Sequence, residues 1–314
     1  VGSASLQTVV LPAQGVGVAC APSVRRFARE LGVNVADVPS THPRGRITIE
    51  DVKAHVKKMA SQSAVAGGQV RHVPLPDFSK FGVVREEAMS TIRARTAEHM
   101  AAAWSTIPHV TQHAHAKIDA LELVRRKLAQ RFEKDAVRLT LTTFLVKIVA
   151  LTLKRNPKFN SSIDVENKKV IYKDFVNIGV AVDTDKGLLV PVVRDADKKS
   201  IGQIAKDLAL LSEKARAGKL SPDDMVGGTF TISNLGSIGG GYFTPIVNAP
   251  EVAILGVSRT VQECVPGENG TPGFAAILPL SLSYDHRLID GADGARFVMA
   301  LVELIEDPHL MLLN

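Results

Sequence analysis

The run Ile277-Leu-Pro-Leu-Ser-Leu-Ser-Tyr-Asp-His-Arg-Leu-Ile-Asp-Gly-Ala292 passes from an apolar strand pattern through a polar turn into the last helical pattern of the chain. A rigid strand that gives way to an open loop is a good location for a chemically active side chain. Alternation of the same two patterns continues upstream. Ser90 to Trp104 reads as a helix, His109 to Ile118 as a strand, Asp119 to about Glu133 as a capped helix, and Thr140 to Lys154 as a buried one. Strand patterns follow at Phe175 to Val182 and Leu188 to Val193, separated by a tight loop at Asp183-Thr-Asp-Lys-Gly187. Ser200 caps a helix ending at Gly218, and apolar strands are expected at Thr229 to Ser233, Val252 to Val257 and Ile277 to Ser283 before a helix from about Ala292 to Ile305. Strands interleaved with helices imply a mixed-sheet α/β domain over residues 85–314.

The whole chain has 314 residues, of which 45% are apolar and 22% charged, so a disordered or collagen-like chain is excluded. Its two cysteines, Cys20 and Cys264, form no CxxC, which excludes a disulfide scaffold and a thiolate zinc site and fits a reducing, cytoplasmic compartment. Leu139 to Leu153 is interrupted by Lys147 and is too short to span a bilayer, so it reads as a core helix; no signal-peptide pattern is present. The chain starts at Val1 without an initiator methionine, from which processing or trimming is expected.

A net charge of +6 raises the question of nucleic acid or membrane, but its distribution points elsewhere. Residues 1–60 hold eight Lys/Arg against four acids, whereas 85–314 hold 28 against 27. The basic excess lies in a segment of two helical patterns over 18–60, between linker-like stretches at 1–17 and 61–84. Its first helix starts at Pro22, places Val24, Phe27, Ala28 and Leu31 on one face and stops at Gly32. The second opens on Thr48-Ile-Glu-Asp51, a capping-box-like start, and stacks Ile49, Val52, Val56 and Met59. Basic residues here are not interleaved with aromatics, so an acidic protein surface is the better counterpart than nucleic acid.

Among residues that could carry chemistry, His286 stands out, with Asp285 and Asp290 close in sequence. Two readings remain open on chemistry alone: a catalytic base, or a loop histidine within a structural Asp-Arg-Asp network. Ser233 ends Thr229-Phe-Thr-Ile-Ser233 and precedes Asn234-Leu-Gly236 and Gly239-Gly-Gly241, where glycines permit close backbone approach. With no GxSxG it is not a nucleophile elbow, and the glycine spacing is wrong for dinucleotides; a hydroxyl donor to a developing oxyanion remains. His113 and His115 share a strand face without a third ligand, and read as solvated. Arg125-Arg-Lys127 reads as the wet face of a helix.

The two halves together resemble one family. Ala21-Pro-Ser-Val-Arg-Arg-Phe-Ala-Arg-Glu-Leu-Gly32 and Gly45-Arg-Ile-Thr-Ile-Glu-Asp-Val52 are similar to a peripheral-subunit-binding domain. Asp285-His-Arg-Leu-Ile-Asp-Gly291 matches the DHRxxDG signature of dihydrolipoyl acyltransferase core components of 2-oxo-acid dehydrogenase complexes, and Phe243 to Ser258 is a run typical of them. The resemblance implies a chloramphenicol-acetyltransferase-like, coenzyme A-dependent acyltransferase fold, an α/β (α+β) two-layer sandwich preceded by a small all-α domain. It makes His286 the base, Ser233 the oxyanion donor and Asp290 a holder of loop geometry at the family's acidic position. Coenzyme A and a lipoyl group are the implied substrates; the lipoyl group belongs on an N-terminal lipoyl domain that this sequence lacks, so Val1 is expected to lie in an inter-domain linker.

Ile107-Pro-His-Val-Thr-Gln112 resembles the acetyl-transferring branch, that of pyruvate, more than the succinyl one. A succinyl or branched-chain homologue and a non-catalytic scaffold subunit are the alternatives, with a hydrolase as a third class. Arg25, Arg29 and Arg46 match the arginines with which the family clamps acidic patches of its decarboxylase and dihydrolipoyl dehydrogenase partners, with Arg26 and Arg44 assisting. In the family the resemblance implies, histidine and serine come from neighbouring subunits of a trimer, and trimers pack as a cubic 24-subunit core in the Gram-negative pyruvate type or as a dodecahedron elsewhere; neither nucleic acid nor membrane is an expected partner.

Overall fold

Hydroxyl side chains start three of the helices, as their place before the apolar periods predicts. Ser90 Oγ accepts from the Arg93 amide, Thr140 Oγ1 from Thr143 and Ser200 Oγ from Gln203. The computed structural model describes residues 19–42, 45–66, 74–132, 138–185, 187–267 and 271–313, and the chain divides into two units, Val1–Arg85 and Glu86–Asn314.

The first unit contains α1 (Pro22–Glu30), a short 3-10 turn at Val35–Asp37 and α2 (Ile49–Ala66). Val24, Ala28, Val35, Val38, Ile47 and Val52 form its core. So small a core gains from a polar hub, and Asp51 supplies one. Its carboxylate accepts the amide and hydroxyl of Thr41 and the amide and hydroxyl of Thr48, while Thr48 Oγ1 accepts the Asp51 amide to complete a capping box. These hydrogen bonds, the Thr41 hydroxyl foremost, hold the Asp51 carboxyl down at about 2. Two expectations are corrected. Ile49 and Met59 are exposed rather than stacked inside. Helix α2 also continues to Ala66, into the stretch read as linker, because Ser61 to Ala66 contains neither Gly nor Pro to stop it.

The second unit runs α3 (Thr91–Thr106), β1 (His109–Lys117), α4 (Asp119–Phe132), α5 (Leu141–Arg155), β2 (Ser161–Asp164), β3 (Lys169–Tyr172), β4 (Ile178–Val180), β5 (Val182–Thr184), β6 (Gly187–Leu189), β7 (Val192–Val193), α6 (Ile201–Arg216), β8 (Phe230–Asn234), β9 (Ala253–Val257), β10 (Val261–Pro266), β11 (Pro272–Asp285) and α7 (Gly291–Glu306). The main sheet has the order β1-β11-β9-β8-β4-β7, with β10 added to β11. Strands β4, β8 and β9 are parallel; the outer pairings are antiparallel, so the sheet is mixed as the sequence implied. Two long strand patterns break where the sequence did not announce it. Phe175 to Val182 yields β4 and then β5 of a separate hairpin, and Leu188 to Val193 is cut at Pro191, which has no amide to give a ladder. The β2–β3 hairpin and β10 carry no alternation strong enough to have been expected.

Alternation sorts the sheet into two unlike faces. Leu278, Leu280, Leu282 and Tyr284 of β11, Ala253, Leu255 and Val257 of β9, Phe230 and Ile232 of β8, and Ile178 and Val180 of β4 join residues of α4, α5, α6 and α7 in one core. Ten residues of α5 are buried, and its Lys147 is accommodated by donating to the carbonyls of Asp197 at 2.7 Å and Lys199 at 2.9 Å. Burial lowers the affinity of that amine for its proton. Among the described residues no helix is long and apolar enough to cross a membrane. The opposite face carries the polar or small residues Thr231, Ser233, Gly256, Ser281, Ser283, Thr111 and His113 in neighbouring strands, with the apolar Ile254 among them.

Candidate active site

His286 is exposed in the turn that follows β11. Its backbone is fastened from two sides. The His286 amide donates to the Pro108 carbonyl at 3.0 Å, and the preceding Asp285 amide donates to the Val252 carbonyl at 2.9 Å. Asp285 itself is buried, and its carboxylate takes the Arg287 amide and guanidinium, with Arg287 Nη2 2.6 Å from Oδ2. The carboxylate raises the pKa of that guanidinium above its ordinary value. Asp285 therefore shapes the turn through Arg287. Asp290 caps α7, accepting the Asp293 amide at 2.9 Å; that bond leads the effects holding its carboxyl below the usual range, which Lys158 and Arg296 reinforce.

Ser233 is half-buried near the C-terminal end of β8, with Gly256 of β9 as its Cα partner. Asn234 turns the chain there: its Oδ1 accepts the Gly236 amide at 2.8 Å and its Nδ2 donates to Thr142 Oγ1 at 3.0 Å, tying the strand end to the start of α5. A Cβ at Gly256 would lie 2.7 Å from the Phe243 ring, so the glycine is what lets that ring lie over the strand beside Ser233. An open cleft of about 1180 Å³ lies at this end of the sheet, lined by Asn234, Gly236, Ser258 and the three arginines Arg138, Arg216 and Arg259. Those arginines are spread over more than a hundred positions, and no local spacing in the sequence announces them.

Register places the two candidates apart. Ser233 pairs with Gly256, and Gly256 with Ser281 of β11; His286 lies five positions further along that strand and its turn. At about 3.3 Å per residue the separation along the strands is roughly 16 Å, with two strand spacings added sideways. One copy of the chain does not bring Ser233 and His286 together.

The remaining candidates fall out as follows. His113 and His115 share a face of β1, but His113 is engaged, with Nδ1 3.0 Å from Ser281 Oγ and its ring 4.9 Å from that of Tyr242. No group of three possible metal-ligating side chains is found among the described residues. Arg125 pairs with Glu122 on its own helix and also donates to the Leu139 carbonyl. In the first unit Arg25, Arg29 and Arg46 are exposed, with Arg26 on the same helix as the first two; Arg44 lies outside the described residues. Glu251 received no separate weight in the sequence, yet it is buried, with Oε1 accepting from Asn248 Nδ2 at 3.2 Å and Oε2 without a partner among the described residues. Burial pushes its carboxyl up to about 7, against the pull of Thr231, Asn248 and Lys173.

Comparison with known proteins gives a consistent result. Residues 82–313 match the model of the 2-oxoacid dehydrogenases acyltransferase catalytic domain, and residues 18–53 that of the e3 binding domain. The chain is 45% identical over 312 residues to the dihydrolipoyllysine-residue acetyltransferase component of the pyruvate dehydrogenase complex of Cupriavidus necator, covering 95% of this chain and 56% of that one. It is 48% identical over 299 residues to the same component of Pseudomonas aeruginosa, covering 93% and 54%. The chain thus spans about half the length of these curated relatives. Among solved structures, one of the Azotobacter vinelandii dihydrolipoamide acetyltransferase, determined to define the role of a serine, a histidine and an asparagine in its catalytic mechanism, has a TM-score of 0.75 and 46% identity, covering 77% of this chain and all of that one. The cubic core of the pyruvate dehydrogenase multienzyme complex gives the same values.

Proposed function

Because the chain belongs to the 2-oxoacid dehydrogenase acyltransferase family, we propose that it transfers an acetyl group between dihydrolipoamide and coenzyme A as the core component of a pyruvate dehydrogenase complex. The observation that carries this reading is the placement of Ser233 and His286 at opposite ends of one sheet. Such a site is completed only when a second copy brings its histidine to the first copy's serine, as the family's trimeric assembly requires. The likeness to the cubic core favours trimers packed in that form.

In the assembled site the His286 imidazole takes the proton of the acceptor thiol, of which only a few per cent is thiolate near pH 7. The sulfur adds to the thioester carbonyl carbon, and the carbonyl electron pair moves onto oxygen. Ser233 donates its hydroxyl hydrogen bond to that oxyanion. Collapse re-forms the carbonyl and breaks the original carbon–sulfur bond, and the departing sulfur recovers the proton from the imidazolium. No acyl-enzyme is needed. The open cleft that Asn234 lines, with Arg138, Arg216 and Arg259, suits the phosphates of coenzyme A. The histidine and asparagine of the Azotobacter enzyme stand four positions apart, the spacing of His286 and Asp290, so an aspartate holds the asparagine's place here and caps α7.

The small basic unit is assigned to capture of the dihydrolipoyl dehydrogenase and decarboxylase components through Arg25, Arg29 and Arg46, and the lipoyl group that the site serves is carried on a separate lipoyl domain. The test is acyl transfer from acetyl-, succinyl- and isobutyryl-coenzyme A to free dihydrolipoamide by the whole chain. Acetyl is expected to be preferred. His286→Ala is expected to lower the rate about 10²–10⁴-fold and Ser233→Ala about 10²–10³-fold. Unchanged transfer by the histidine variant sinks the assignment, and hydrolysis that needs no acceptor thiol turns it toward a hydrolase.

A further inference from the structure

Three consecutive residues at the start of β1 hold two separate parts of the molecule. Pro108 gives its carbonyl to the His286 amide at 3.0 Å. His109, the Cα partner of Asp285, reaches in the other direction, to the irregular stretch between Tyr242 and Pro250. That stretch has neither strand nor helix, so its amides need partners from elsewhere. The amide of Val247, a fully buried residue, finds one in His109 Nε2 at 2.9 Å. His109 Nδ1 lies 2.8 Å from the Ile107 carbonyl.

The chemistry of these partners fixes the state of the ring. A carbonyl can only accept, so Nδ1 carries hydrogen; an amide N–H can only donate, so Nε2 is bare. Both nitrogens of a neutral imidazole are thereby committed, and His109 has neither a proton to give nor a free lone pair to take one. Trp104 stacks on the ring at 5.4 Å between centroids, and Ala103, Ile107, Val247 and Ile254 pack as one apolar cluster around the junction.

We infer that His109 is a positioning residue for the reaction: by tying Val247 to Ile107 it fixes the Pro108 carbonyl, and through that carbonyl it sets the place of His286. The inference rests on the proposed reading of His286 as base. It assigns a task to a histidine whose two ring nitrogens are both taken by backbone groups, the Ile107 carbonyl and the Val247 amide.

The experiment compares two amides of different reach in the full chain. His109→Gln places an amide oxygen near the position of Nε2, within reach of Val247; His109→Asn keeps a donor for Ile107 but falls short of Val247. His109→Gln is expected to retain kcat within about threefold, and His109→Asn to lose about 10–100-fold in kcat with KM for acetyl-coenzyme A and dihydrolipoamide within twofold, since a shift of about an ångström at a catalytic group is costly. Both are expected to assemble to the parent mass. Equal kcat in the two variants overturns the inference, as does an effect confined to KM or a loss in His109→Asn that tracks a smaller assembly. His286→Ala is measured alongside. If it keeps full transfer, the reading of the base has failed; if it is inactive while the Gln and Asn variants agree, only the positioning role has failed.

Discussion

Ser233 and His286 occupy opposite ends of the central sheet: the register from Ser233 through Gly256 reaches Ser281, and His286 lies five positions beyond it. A site that uses both must draw them from different copies, and this has a quantitative consequence. Ser233→Ala and His286→Ala are each expected to retain no more than about a hundredth of the parent rate alone and to recover activity when assembled together. In randomly mixed oligomers with heterologous interfaces, about a quarter of the sites receive an intact serine from one copy and an intact histidine from another. Acetyl transfer by a co-assembled equimolar mixture is therefore expected to approach a quarter of the parent rate, and a mixture no better than its parts rejects the shared site.

Arg25 and Arg29 stand four apart on α1, both exposed, with Arg29 Nε donating to the Arg25 carbonyl at 3.4 Å. Joint replacement, Arg25→Ala with Arg29→Ala, is expected to weaken the proposed capture of partner subunits while leaving acetyl transfer to free dihydrolipoamide at the parent rate. Binding should also weaken with added salt. Calorimetry at two ionic strengths checks both expectations, and binding indifferent to the substitutions and to salt removes the charge clamp.

Much of this arrangement is legible in the residues themselves. Ser90, Thr140 and Ser200 announce their helices because a cap is a local bond, and the β11–α7 junction is visible because the period changes there. What stays hidden depends on contacts between distant positions. The tie from His109 to Val247 spans 138 positions, and Glu251 is buried among groups as distant in the chain as Lys173, Gly228 and Thr231. Pro191 was visible but its effect was not, since a proline breaks a ladder only where its amide would have been used.

Asp51 makes the stability of the first unit pH-dependent. Its folded-state pKa of about 2 lies below the ordinary carboxylate value near 3.9, so the carboxylate stabilises the fold fully above that ordinary value. The contribution is lost as pH falls from about 4 through about 2. Protection of the α2 amides against hydrogen exchange, taken relative to their intrinsic rates at each pH, is expected to fall over this window in the full chain. Asp51→Ala should show fast exchange already at pH 7, with the difference from the parent closing near pH 2.

Gly256 offers a steric test of the serine end of the site. An added methyl would lie 2.7 Å from the Phe243 ring and must displace it, an overpacking that costs about 1–3 kcal/mol. Gly256→Ala is expected to lower Tm and to reduce kcat, because the ring it moves lies over the strand beside Ser233. Gly241→Ala, where no atom would lie within 4 Å of the new methyl, is the control and should do less.

Glu251 gives the opposite sign from Asp51. Burial raises its folded-state pKa to about 7, so the folded chain holds the proton over a range in which the unfolded chain, titrating near 4.3, has released it. Stability from this group therefore falls as pH rises between about 4.3 and 7 and is constant above. Glu251→Gln keeps an oxygen for Asn248 and carries no charge to desolvate. The variant is expected to match the parent near pH 4 and to exceed it by up to about 3 kcal/mol above pH 7. Urea unfolding of the full chain across pH 4 to 8 measures the gap. A constant difference over that range shows that Glu251 does not change its protonation on folding.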